Sequence, residues 1–144
     1  MKNFLIAVII TLLIYLLWNY IENYKVVSEV VDGDTFKING KSVRLIGIDA
    51  PEIGEPCYLD AKEKLKELIK DKIVRLEKDF KERDEYGRLL RYVYVDGLFV
   101  NAEMIRLGLA KFEEIEPNIK YSDLFLNLES KARKAKRCIW DNHM

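Results

Sequence analysis

Hydrophobic and polar residues are arranged in two regimes along the chain. From Phe4 to Trp18 the run FLIAVIITLLIYLLW has no charge and one polar interruption, Thr11. No face of such a helix is polar enough to meet water. Counted through Ile21 the run is 18 residues, and as a helix it spans about 27 Å, close to the hydrocarbon thickness of a bilayer. Lys2 and the amino terminus precede it, and Glu22 and Lys25 follow. The excess of positive charge on the N-terminal side places that end inside the cell and the remainder outside. The pattern therefore predicts a membrane anchor over residues 1–24, inserted in the bilayer through residues 4–21. A cleaved signal segment, leaving a secreted protein, is the alternative. The bulky, polar stretch NYIENYK after the apolar run lacks the small residues that cleavage requires.

From residue 25 onward the apolar positions alternate or recur at helical spacing. KVVSEVV (25–31), Phe36–Ile38 and Val43–Ile48 read as strands separated by Asp32-Gly33 and Asn39-Gly40. Both dipeptides suit hairpin turns that need positive φ, so a three-stranded antiparallel meander is expected over 25–49. Tyr58, Ala61, Leu65 and Leu68 lie on one face of a helix running to about Lys70. Ile73–Leu76 and Leu89–Val95 give two more strands. Asn101–Leu107 reads as a short helix closed by Gly108, and Ser122 as the cap of a last helix with Phe125, Leu128, Ala132 and Ala135 on its apolar stripe. The expected architecture over 25–144 is α+β: a five-stranded OB-type Greek-key β-barrel with three helices, behind the anchor.

Composition narrows the chemistry. The 144 residues include 24 Lys+Arg and 24 Asp+Glu. Setting aside residues 1–24 removes only Lys2 and Glu22, so the domain carries 23 of each sign. A disordered chain is excluded, and so is general electrostatic attraction to phosphate; any affinity for nucleic acid must be local. The local asymmetries are KARKAKR (131–137), which suits a solvated helix face, and the acidic Glu113, Glu114 and Glu116. A single His, His143, and two Cys, Cys57 and Cys138, cannot form a zinc cluster or a Ser-His-Asp triad.

What remains is oxygen and guanidinium chemistry. Asp32 and Asp34 in VDGDT, and Asp49 and Glu52 in IDAPE, sit at the ends of strands that antiparallel pairing can bring together. Each motif alone reads first as a turn. Together they form an all-oxygen ligand set for Ca²⁺ or Mg²⁺, without the spacing of an EF-hand. Arg44, five residues before Asp49, and Arg88, after Asp84-Glu85-Tyr86-Gly87, can each hold two phosphate oxygens, although by spacing alone they read first as a cross-strand ion pair and an exposed loop charge.

VDGDTFKI, VRLIGIDAPE, DEYGRLLRYVYVDGLFVNAEMIRLGLAKF and RCIW resemble, in order and with similar spacing, the staphylococcal nuclease (thermonuclease) family. The resemblance covers about residues 25–140. It implies an OB barrel and a Ca²⁺-dependent phosphodiesterase that hydrolyses DNA and RNA to 3′-phosphorylated products, using one Ca²⁺. By motif, Asp34, Asp49 and the backbone carbonyl of Ala50 would bind the ion, with Asp32 in support. Glu52 would act as general base or orient water, Arg44 and Arg88 would hold the scissile phosphate, and Tyr86 would contact the nucleotide.

Three departures bear on substrate binding. Glu85 stands where many of these nucleases carry Lys, and Glu114 and Glu116 fall where the archetype has nucleotide-pocket tyrosines. The basic surface of the archetype is absent, which implies weaker or more salt-sensitive binding. The resemblance also brings Cys57 and Cys138 into neighbouring regions, where an extracytoplasmic domain favours a disulfide over two buried thiols. A non-catalytic OB module that binds nucleic acid or protein is the alternative function, and a structural membrane protein a third; no protein partner is implied.

Overall fold

A computed structural model of the chain describes residues 1–141, so His143 lies outside the described residues. The apolar run forms α1 (Lys2–Asn23), with none of its residues buried against the rest of the protein. It is long and apolar enough to cross a membrane, a property shared by signal sequences. No linker follows: α1 ends at Asn23 and β1 (Tyr24–Val26) begins at the next residue.

The predicted meander is only partly correct. KVVSEVV is not one strand but two, β1 and β2 (Glu29–Val30), which go to different neighbours. β1 pairs antiparallel with β6 (Ile73–Glu77), whereas β2 pairs with β3 (Thr35–Ile38) and β3 with β4 (Lys41–Leu45). The chain swerves at Val27, whose N–H is taken by Lys72 and whose partner across an isolated bridge is Lys70. The third predicted strand also breaks, into β4 and β5 (Ile48–Asp49), at Gly47, where φ is +78° and the Phe125 ring occupies the space a Cβ would fill.

The remaining elements are α2 (Tyr58–Ile69), β7 (Leu89–Val95), β8 (Leu98–Phe99), α3 (Val100–Arg106), β9 (Lys111–Phe112) and α4 (Ser122–Lys134), with a 3₁₀ turn at Cys138–Trp140. Among the described residues the expected five strands are therefore nine short ones, and α1 makes four α-helices. β8 and β9 are two residues each, too short to leave a period-2 signal. Ser122 begins α4 without capping it through its side chain, and Ala135 is exposed at the helix end. The sheet runs β1-β6-β7-β4-β3-β2, with β8 beside β7 and a separate β5-β9 ladder. The parallel β4–β7 pairing joins the two antiparallel halves and curls the sheet into a mixed, OB-like barrel.

The barrel closes over Leu45, Ile46, Ile48, Leu65, Val93, Ile105 and Phe125, all essentially inaccessible to solvent. Where the ladder breaks at Gly47, Asn101 replaces it. Its buried amide accepts from Val93 N–H at 2.9 Å and donates to Ile46 O at 2.9 Å, satisfying backbone groups that the interrupted β4 leaves open. A disulfide joins Cys57, just before α2, to Cys138 near the chain end, with Cα atoms 6.1 Å apart.

Candidate active site

Asn39-Gly40 forms the expected tight turn, both residues having positive φ. Asp32-Gly33 does not: Gly33 has no left-handed backbone, and Val31 and Asp32 both donate their N–H groups to Thr35 O, leaving a wider loop. The glycine is needed there for space. A Cβ on Gly33 would come within 2.7 Å of the Cβ atoms of Ala50 and Ala61. This close approach lets the 32–34 loop lie against β5 and α2.

Asp34 is thereby buried in the centre of the site. Its Oδ2 accepts from Ala50 N–H at 2.8 Å, its Oδ1 accepts from the Thr35 hydroxyl at 2.9 Å, and its own N–H donates to Asp32 Oδ1 at 3.1 Å. Its backbone carbonyl accepts from Leu45 N–H at 2.9 Å, fixing the loop to β4. Burial pushes the Asp34 carboxyl up to about 6, against the pull of Arg44 and those hydrogen bonds; the charge of Asp32 adds to the rise.

Arg44 lies on β4 between β3 and β7, opposite Thr35 on one side and Leu90 on the other. Its buried guanidinium bridges three acids: Nη1 is 2.5 Å from Asp34 Oδ2, and Nη2 is 3.4 Å from Asp49 Oδ1 and 3.0 Å from Glu113 Oε2. The Asp34 contact is not aligned as a hydrogen bond, so Nη1 retains a donor for another acceptor. Asp49 reaches the cluster from β5, which pairs with β9 so that Lys111 lies opposite Asp49. Beside Asp49, a cavity of about 120 Å³ is walled by Ala50, Pro51, Glu55 and Lys111.

Arg88 enters from the neighbouring strand, one residue before the pairing of β7 with β4 begins at Leu89–Val43. Asp84 fixes it, accepting from Arg88 Nε at 2.6 Å and from the Arg88 and Tyr86 N–H groups at 2.9 and 3.0 Å. Burial pushes the Asp84 carboxyl up, but the Arg88 hydrogen bonds outweigh it and hold the group below the usual carboxylate range. Tyr86 is exposed, with the Arg88 guanidinium 5.5 Å from its ring centre. Glu52 is exposed on the following loop, where its N–H donates to the Glu55 carboxylate at 2.7 Å.

Asp34, Arg44, Asp49 and Ala50 thus converge, with Asp32 behind them. Arg88 and Tyr86 lie on the loop just ahead of β7, where Arg88 is paired with Asp84 and makes no ion pair with the Asp34–Arg44 cluster, and Glu52 is exposed on the loop that follows Ala50. Sequence reasoning missed Glu113, Thr35 and Asp84. In the sequence Glu113 reads only as part of an acidic patch, and no local spacing connects it to Arg44. Asp84 could have been found from its side chain's reach to N–H groups two and four residues ahead.

Asp34, Asp49 and the Ala50 carbonyl offer the hard oxygen donors that a divalent cation takes, although no three acidic oxygens of this cluster lie within 4.8 Å of one another and the Arg44 guanidinium sits among them. The single group of three potential ligands within 4.8 Å among the described residues is elsewhere, at Cys57, Asp60 and Cys138. The disulfide removes both of its sulfurs from coordination.

The fold and site define an OB-like β-barrel domain with a buried guanidinium on a central strand, set against one buried carboxylate, Asp34, and two half-exposed ones, Asp49 and Glu113. The chain belongs to the staphylococcal nuclease family: the profile described as "Staphylococcal nuclease homologue" matches residues 42–142. It is 41% identical over 128 residues to the SPbeta prophage-derived endonuclease YokF of Bacillus subtilis (81% of this chain, 43% of that protein). It is 42% identical over 125 residues to the endonuclease YncB of the same organism (78% and 59%). A thermonuclease of Staphylococcus hyicus is 35% identical over 131 residues (84% and 77%). The chain therefore spans about half the length of the two Bacillus relatives.

Proposed function

We propose that this protein is a Ca²⁺-dependent nuclease, hydrolysing phosphodiester bonds in DNA or RNA to leave 3′-phosphates, and held outside the cytoplasmic membrane by α1. The observation that carries the reading is the buried Arg44 guanidinium against Asp34 and Asp49. Relatives named endonuclease and thermonuclease support it.

Asp34, Asp49 and the Ala50 carbonyl would hold the cation, and Asp32 steadies Asp34 through its N–H. When bound, the cation supplies fixed positive charge beside the phosphate. Arg44 and Arg88 grip the non-bridging phosphate oxygens as negative charge accumulates there. Arg88 is aimed by Asp84, which occupies Nε and leaves both terminal nitrogens for phosphate. Glu52, with no histidine in the described residues to compete, orients the attacking water and accepts its proton. Tyr86 offers an exposed ring against the nucleotide.

The absence of buried residues in α1, the positive charge on its N-terminal side and the disulfide support an extracytoplasmic domain tethered at 1–24. The test is cleavage of end-labelled DNA and RNA by the full chain in detergent, with Ca²⁺ and then with chelator, followed by end-group analysis. Cleavage that persists in chelator, or 5′-phosphate products, would refute the reading.

A further inference from the structure

Where α1 meets the barrel, a cavity of about 360 Å³ opens between the helix end, the β3–β4 turn and the loop ahead of β7. Its cations are Lys25, Lys41, Lys78, Arg83 and Arg91, and its acids are Glu22 and Glu82. Both acids pair with Lys78, at 3.2 and 3.3 Å. The other four cations have no carboxylate within ion-pair distance among the described residues.

Arg91 is the unusual member. It is on β7 and only 6% exposed, yet its guanidinium partners are neutral: Nη1 donates to Glu82 O at 3.1 Å and Leu90 O at 2.7 Å. A buried charge without a counter-charge is costly to the fold, and burial depresses its pKa, with Arg83 adding to the effect and Glu82 and Glu22 opposing it. A bound anion would remove that cost.

The cavity's position indicates which anion. The apolar run ends at Ile21, and Asn23, on the cavity wall, is two residues further, about 3 Å along a helix. With α1 across a bilayer, the cavity opens at the depth of the lipid headgroups. A second cavity shares Asn23, Leu76 and Lys78 and continues along α1 past Tyr20 to Leu16. The cationic groove at the barrel thus adjoins, across Asn23, Leu76 and Lys78, a cavity of mixed lining that leads to Leu16 on the apolar helix. An anion held in the groove would lie beside lipid, a setting that suits an amphiphile better than a polynucleotide. Tyr20 and Tyr24 stack beside it, ring centres 4.4 Å apart, as aromatic residues do at membrane interfaces.

We infer that this groove binds the phosphate headgroup of an anionic lipid, with Arg91 as the buried charge at its base and the acyl chain lying along α1. The inference rests on the reading of α1 as an anchor. It goes beyond the nuclease site, since none of the residues placed there lines the groove.

The experiment is native mass spectrometry of the full chain released from nanodiscs containing equal amounts of phosphatidylglycerol and phosphatidylcholine. Wild-type protein is expected to retain phosphatidylglycerol about five-fold or more over phosphatidylcholine, the scale of a single basic contact with an anionic headgroup. Arg91→Met should abolish the preference and Lys41→Gln, at an exposed position, should weaken it without touching the core. Cleavage of a short oligonucleotide should be unchanged in Lys41→Gln. Equal retention of the two lipids, or a preference unaffected by both substitutions, overturns the inference. So does displacement of phosphatidylglycerol by millimolar inorganic phosphate, which assigns the site to the free ion, or by a short oligonucleotide. Alkaline carbonate extraction separates the two readings. A chain released from membranes by carbonate fails as an anchored protein, whereas one that stays embedded but shows no lipid preference fails only here.

Discussion

Arg44 and Glu113, 69 positions apart in sequence, meet at 3.0 Å between guanidinium Nη2 and carboxylate Oε2. The residue that would grip phosphate is thus already engaged by a carboxylate, which the substrate must displace. Glu113 is half exposed and its N–H is anchored on Gly47 O, so the backbone keeps its position whatever its side chain does. Glu113→Gln is expected to lower KM for a fluorescent oligonucleotide by about three- to ten-fold, the scale of one charge-assisted contact. Turnover at saturation should change little. An increase in KM would show that Glu113 supports substrate binding.

Arg88→Lys should cost most of the activity. Asp84 holds Nε, and a lysine ammonium cannot keep that contact while presenting two donors to phosphate. A loss in kcat of about 100-fold is expected, the scale for removing one donor to a developing oxyanion. An unchanged thermal melt would confine the effect to chemistry, and near-normal turnover in folded protein would exclude direct contact of Arg88 with the transition state.

The fold should gain from neutralising Asp34. Its carboxyl is raised to about 6 by burial, above its value in the unfolded chain. Between the two pKa values the folded state holds more protons, so this group's contribution to stability falls as pH rises toward 6 and remains unfavourable above it. Asp34→Asn should therefore stabilise the protein at pH 7 in chelator by about 1–3 kcal/mol, an advantage that disappears near pH 4, while abolishing cleavage. Urea titrations at the two pH values provide the measurement.

Gly33→Ala tests the close approach that seats Asp34. The added methyl meets two Cβ atoms at 2.7 Å, so the loop must lift away from Ala50. Destabilisation of about 1–3 kcal/mol is expected from overpacking, with weaker Ca²⁺ activation. Alanine at Gly40, where nothing lies within 4 Å of the added Cβ, should cost about 1 kcal/mol through its positive φ alone and leave Ca²⁺ activation intact.

Reduction of Cys57–Cys138 releases a constraint spanning 81 positions. By chain entropy this should lower stability by about 4 kcal/mol, read as a shift in urea midpoint with reductant. Two reactive thiols in the unreduced, denatured protein would exclude the bond.

Much of the site was legible because its residues lie in short motifs that fold locally. VDGDT and IDAPE place an acid at each strand end, and the turn before Arg88 carries its own orienting Asp84. The α2 and α4 stripes were legible for the same reason: Ala61, Leu65, Phe125 and Ala132 recur at helical spacing and are buried. What escaped were features whose cause lies elsewhere in the chain. KVVSEVV looks like one strand, but Val27 is claimed by the segment at 70–72, and only the second half of the run remains for β3. Gly33 looked like a turn glycine, although the constraint on it comes from Ala50 and Ala61.

Read alone, the chain reveals an apolar segment of membrane length, a neutral domain with strands before and after its first helix, and candidate oxyanion and guanidinium groups that the short motifs bring to strand ends. These follow from composition and from periods of two and 3.6, which act over a few residues. Long-range packing adds that Arg44 faces three acids at once, that Asn101 mends the broken ladder, and that Arg91 is buried at the root of α1 without a carboxylate in ion-pair reach among the described residues. Each depends on strands distant in sequence arriving in one register. Nothing within a short window specifies that register; it is set by which apolar faces can be buried together.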